Sequence, residues 1–168
     1  RILSSAKSSV LIDLAARVTK GAEMPDGTPG VSGGVLLLLA EESIRKPVPL
    51  RLEAAGAALT RTAVMRPHLS LPDNTNLLQD AAHDIGAQLV VVDPVMAFLT
   101  SNANREQPVR QAMSELKEFA ERSNIAIIMV RHLNKGGGKH SLYRGVGSIG
   151  LIAATRSGFL VGHSLDDP

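Results

Sequence analysis

Cysteine and tryptophan are both absent from this chain, and the aromatics amount to three Phe and one Tyr. Without a thiol there is no thiolate metal site and no disulfide framework. The same absence fits a reducing compartment, so a cytoplasmic setting is the expectation. With aromatics at 2% of residues, the core has to be built from Val, Ile, Leu and Ala. That composition suits parallel strands buried under Ala-rich helices. No apolar run approaches the ~20 residues that a membrane-spanning helix needs, and no membrane partner is expected. The first residues are small and polar and carry no signal-peptide pattern. Neither sign of charge dominates: 18 basic and 16 acidic residues leave a net +2, which does not by itself argue for nucleic acid. What remains is a globular composition, 44% hydrophobic and 20% charged, in 168 residues. That is enough for one domain with a sizeable core.

Periodicity divides the chain into alternating elements. Residues 5–19 read as a helix, with Val10, Leu11, Leu14, Ala15 and Val18 on one face and Gly21 as its stop. Residues 22–34 are rich in Gly, Pro and Asp and read as a loop. Val35–Ala40 is a continuous apolar run, the pattern of a strand buried on both faces. A helix is expected over Leu50–Ala55, ended by Gly56, because Pro47 and Pro49 make the preceding turn irregular. Thr62–Met65 is a short strand candidate, and Asn76–Ile85 a helix stopped by Gly86. Gln88–Val92 and Ile125–Val130 are two further buried strands. Between them, Asn104, Gln107 and Pro108 read as a helix start. Val109, Met113, Leu116 and Phe119 then form one apolar face. Ser157–Val161 is a last strand candidate. Strands alternating with helices of ~10–15 residues imply βαβ units and a mostly parallel sheet.

In open α/β sheets ligands bind beyond the carboxyl ends of the strands. Glu41 and Glu42 follow the first apolar run, Asp93 the second, and Arg131 and His132 the third. Polar residues are also ordinary at strand ends that reach the surface, so each alone is ambiguous. LVVVDP is the stronger signal: an apolar strand ending in Asp is a Walker B pattern, in which the carboxylate holds Mg²⁺ through water. The partner motif is G-x-x-x-x-G-K-[ST], whose Lys reaches the β- and γ-phosphates and whose hydroxyl reaches Mg²⁺. Residues 1–8 read RILSSAKS. Lys7 and Ser8 suit the last two positions near the start of the first helix. Arg1 and Ala6 stand where the glycines belong, and an ordinary Ser-rich helix start reads the same way.

MPDGTPG, VLLLLAEES, RLEAAGA, LVVVDPVMAFL, VRHLNKGGG and LYRGVGSIGLIAATRSGFLVG occur in this order. Together they resemble the RepA-like, AAA-25 type branch of the RecA-fold ATPases, found among replication proteins. The resemblance implies an α/β, RecA-like P-loop NTPase core with a mostly parallel sheet flanked by helices. It would fill residues 1–168 and be truncated at both ends, lacking the first strand and the C-terminal strands. It implies ATP and Mg²⁺ as cofactors. Lys7 and Ser8 resemble the Walker A pair, and Asp93 the Walker B Asp, with Ser8 and Asp93 on the metal. Glu41 resembles the carboxylate that polarises the attacking water, with Glu42 as its neighbour. His132 resembles the sensor that couples the γ-phosphate to the segment after its strand. Arg156 resembles an arginine finger reaching the next subunit's nucleotide, with Arg144 as a second candidate. Such a finger implies a ring-shaped homo-oligomer, expected to be a hexamer.

Residues 134–141 carry Lys135, Lys139 and His140 among three glycines. In RecA-like rings the corresponding loop touches the nucleic-acid backbone, so single-stranded DNA is an expected partner, through sequence-independent phosphate contact. A solvated loop whose lysines aid solubility fits the same residues. The functional expectation is the ATP-hydrolysing core of a DNA helicase or translocase in replication. Two alternatives stand beside it: a non-hydrolysing module kept for oligomerisation or docking, and a recombination or repair ATPase of the same fold.

Overall fold

The computed structural model describes residues 2–40, 47–65, 69–99, 106–132, 151 and 154–161. The alternation read from the sequence is present. The elements are α1 (Ile2–Lys20), β1 (Gly34–Leu39), α2 (Pro47–Ala54), β2 (Thr62–Met65), α3 (Thr75–Asp84), β3 (Ala87–Asp93), α4 (Glu106–Ser123) and β4 (Ala126–Met129). The four strands form one sheet in the order β2-β1-β3-β4, and every pairing is parallel.

Parallel neighbours need crossovers, and helices supply them. The chain moves outward from β1 to β2 through α2, passes back over β1 through α3 to reach β3, and continues through α4 to β4. Helices α1 and α2 cover one face of the sheet; α3 and α4 cover the other. The direction of winding therefore reverses between β1 and β3. Such a reversal opens a crevice at the carboxyl ends of the two strands, where ligands of doubly wound sheets bind.

β1 is buried at every position, and β3 at Leu89–Val92, because helices lie above and below both. Strict alternation then divides their side chains. Val35, Leu37, Leu39, Leu89 and Val91 pack under α1 and α2 with Leu11, Ala15, Val48 and Leu52. Leu36, Leu38, Val90 and Val92 pack under α3 and α4 with Leu78, Met113, Leu116 and Phe119. Each fully buried Leu or Val contributes about 1.5–3 kcal/mol relative to exposure.

Glycine ends two of these helices by the same device. Gly21 and Gly56 adopt φ of 65° and 79°. At the end of α1, Ala22 N–H donates to Arg17 O (2.9 Å) and Gly21 N–H to Val18 O (3.3 Å). Ala57 and Gly56 repeat that pattern on Leu52 and Glu53. These paired bonds satisfy carbonyls that a helix end otherwise leaves open.

Four elements differ from the sequence reading. α1 begins at Ile2 rather than residue 5, since RILSSAKS holds no Gly or Pro to interrupt it. α2 begins at Pro47; proline is tolerated in a first turn, where the missing N–H would have no helical acceptor. β4 is not buried on both faces: Ala126 is exposed and Ile127–Met129 are half-buried, because among the described residues only β3 pairs with it. Residues 157–161 form no strand, and Phe159 and Leu160 are exposed. An apolar run alone makes no ladder without a hydrogen-bonding neighbour.

Candidate phosphate-binding edge

Three strand ends and one helix meet at the crevice. Asp93 closes β3 beside Leu39, and the Ala40 N–H donates to the Asp93 carbonyl at 3.0 Å. The edge of β4 is tied to the same place: Val130 N–H donates to Val92 O, and Val95 N–H to Val130 O, both at 2.9 Å. Alternation carries Asp93 onto the face of Leu89 and Val91, under α1. Counting by twos from Ile128 and Val130, His132 falls on that face as well.

The helix confirms the count. Lys7 Nζ lies 3.1 Å from His132 Nδ1, across 125 residues of sequence. A lysine ammonium can only donate, so as a hydrogen bond this contact requires the Nδ1 lone pair to accept, which is the tautomer carrying its ring proton on Nε2. Ser8, the next residue of α1, is buried. Arg131 falls on the opposite side by the same alternation and is half-buried; loss of water around its guanidinium lowers its pKa below the ordinary value.

α1 is held where this contact requires it. Ala15 and Ala16 are fully or almost fully buried, and their small side chains let the helix lie close to β1 and β3. At its carboxyl end the Thr19 hydroxyl donates to Ala16 O (2.9 Å) and accepts the Ala58 N–H (3.0 Å). Arg61 donates to Thr19 O (3.3 Å) and to Ser32 Oγ (2.7 Å). On its outer side, Arg51 of α2 donates to Ser9 Oγ at 3.3 Å.

The side chains fit a magnesium nucleotide. Lys7 offers a cation at the crevice, and its present partner is a lone-pair acceptor, the role that a phosphate oxygen also fills. Ser8 and Asp93 supply the hydroxyl and carboxylate oxygens that a hard divalent ion prefers. The fit does not extend to a glycine cradle. α1 starts five residues before Lys7, so its open first-turn N–H groups lie roughly 7.5 Å further along the axis than in a loop that hands over to a helix at the lysine. Among the described residues no cluster of three His, Cys, Asp or Glu gathers around one point. The metal would therefore be shared with the nucleotide phosphates, as Mg²⁺ usually is.

Of the residues singled out in the sequence, the structure brings Lys7 and His132 into contact and sets Ser8 and Asp93 on the same face of the sheet. Arg156 lies elsewhere. It donates to Glu121 Oε1 at 3.1 Å and is 86% exposed. Glu121 sits in the last turn of α4, just before β4 begins, so this pair marks the amino-terminal edge of the sheet. Glu41, Glu42, Arg1, Lys135, Lys139 and Arg144 lie outside the described residues, as does the side chain of Ala6. A polar cleft of about 350 Å³ between α3 and α4, lined by Thr75, Gln79, Glu115 and Arg122 among others, lies on the far face. Its groups are engaged with one another: Thr75 Oγ1 with Glu115 (2.8 Å) and Arg122 with Glu118 (3.3 Å).

A family model described as an AAA domain matches residues 4–138. The chain belongs to this family of nucleotide-binding ATPases, with the RecA-type parallel sheet described above. Across 124 residues it is 27% identical to the DNA repair protein RadA of Escherichia coli (strain K12). That match covers 66% of this chain and 27% of RadA, so the chain spans about a quarter of its relative's length. No helix among the described residues is long and apolar enough to cross a membrane.

Proposed function

We propose that this chain binds ATP with Mg²⁺ at the carboxyl edge between β1 and β3 and hydrolyses it, as the motor core of a protein that acts on DNA. The observation that carries the reading is the convergence of Lys7 and His132 at the winding reversal, on the face where β3 ends in Asp93. Lys7 would hold the phosphates, and Ser8 and Asp93 the metal, which when bound neutralises charge on the β- and γ-oxygens. Glu41 is assigned to orient the attacking water. His132, three residues past the end of β4, is assigned to report the phosphate end to the chain that follows. Arg156 faces away from this edge, so a finger role would act on a neighbouring subunit's nucleotide in a ring, with Arg144 as the alternative. Lys135 and Lys139 are assigned to sequence-independent contact with single-stranded DNA.

A replicative helicase or translocase accounts for these parts. The likeness to a DNA repair protein favours a second reading, a recombination or repair ATPase with the same site. Fluorescent ATP-analogue binding and phosphate release with and without single-stranded DNA test the common core. Asp93→Asn is expected to reduce Mg²⁺-dependent hydrolysis by at least tenfold while nucleotide binding falls less. Unchanged hydrolysis would remove Asp93 from the metal site.

A further inference from the structure

The contact between Lys7 and His132 does more than mark the site. A lysine that serves phosphate has to give up any partner it holds beforehand, and here that partner is an imidazole 3.1 Å away on a different strand. Both groups are partly withdrawn from water, so the bond is not one that solvent exchanges at no cost. The geometry points to a resting latch: His132 occupies Lys7 in the nucleotide-free chain, and phosphate binding requires the lysine to change partners. This inference rests on the nucleotide reading above and adds a direction to it. A residue that only sensed phosphate would strengthen binding, whereas a latch opposes it.

Three features support the exchange. The register that brings Val130 under α1 fixes His132 on the lysine's side of the sheet, so the meeting is built into the fold. The carboxyl half of α1 is pinned through Thr19, which accepts from the Ala58 N–H and from Arg61, twelve residues away from Lys7. His132 stands three residues before Lys135 in the sequence, so releasing Lys7 changes what the imidazole bonds close to that lysine along the chain.

The test uses two readouts on the whole chain. In ¹⁵N-histidine spectra without nucleotide, the His132 signal, assigned by its loss in His132→Gln, is expected to be the neutral form protonated at Nε2 with a hydrogen-bonded Nδ1. It should shift in Lys7→Met, and shift again in the unmodified chain on adding Mg-ATP. Binding of a fluorescent ATP analogue to His132→Ala is expected to be about 2- to 10-fold tighter than to the parent chain, the factor that one broken hydrogen bond imposes. His132→Gln, which keeps a side-chain acceptor, should bind closer to the parent. Equal or weaker binding by His132→Ala, in a chain that binds nucleotide, overturns the latch and leaves the nucleotide reading intact. An Nδ1 signal that Lys7→Met does not move overturns it as well, even if His132→Ala fails to fold. Binding by His132→Ala where the parent binds none supports the latch in its strongest form. No binding by either chain overturns the nucleotide reading and the latch with it.

Discussion

Both buried phenylalanines, Phe98 and Phe119, lie on the α3–α4 face of the sheet, together with Met113 and Leu78. Among the described residues the α1–α2 face buries no aromatic side chain: its buried core is Leu, Ile, Val and Ala. The residues with chemistry to offer, Lys7, Ser8, Asp93 and His132, are all on this second face. Large side chains fill the space under α3 and α4, whereas small ones at Ala15 and Ala16 bring α1 down onto the sheet. One face supplies bulk and the other supplies proximity. A phosphate-binding helix needs the latter, because its lysine must meet a strand end.

That difference can be broken from either side. The largest loss is expected for Phe98→Ala, which empties a fully buried site and should cost about 3–5 kcal/mol by urea unfolding, with no specific effect on nucleotide binding in the folded fraction. A loss below 1 kcal/mol would remove Phe98 from the core. Adjacent leucines of β1 sharpen the contrast. Leu36→Ala and Leu37→Ala are each expected to cost about 2–5 kcal/mol. Leu37 lies beneath α1 and Leu36 on the opposite face. Only Leu37→Ala should therefore weaken nucleotide binding by the folded chain, and equal weakening by both would show that the faces are coupled. The smallest change in stability belongs to Arg156→Ala. Its ion pair with Glu121 is largely solvated, so the unfolding midpoint should move by no more than about 0.5 kcal/mol. If Arg156 serves a neighbour's nucleotide, hydrolysis by the assembled form falls at least tenfold at that unchanged stability.

Much of this arrangement was legible in the residues. Uninterrupted apolar runs located all four strands to within a residue or two, since buried parallel strands leave no room for polar side chains. Gly21, Gly56 and Gly86 gave the helix ends, because the positive φ adopted there is one that glycine meets without strain. The meeting of Lys7 with His132 was not read, although its signal existed. Counting alternate positions from Val130 and knowing which face α1 covers would have found it, but the face depends on strand order, which no local pattern encodes. The half-exposure of β4 escaped for the same reason: Ile125–Val130 is as apolar as a central strand, and only pairing shows that, among the described residues, β3 alone is its neighbour. The first turns of α1 misled in the other direction. The helix reads from residue 5, but Leu and Ser before it are compatible with helix, and the backbone follows them back to Ile2.

Helix α1 is fastened at its carboxyl end. The Ala58 amide and Arg61 clamp Thr19, at the amino edge of the sheet, through two hydrogen bonds, while Lys7 stands twelve residues away, roughly 18 Å along the rod. The clamp is a fulcrum, and the helix is a lever arm. Displacing the lysine end by 1 Å tilts the arm by about 3° at that length, while the pivot end stays nearly still. Mechanical work done at the phosphate end would then reach the rest of the molecule as rotation, not as sliding.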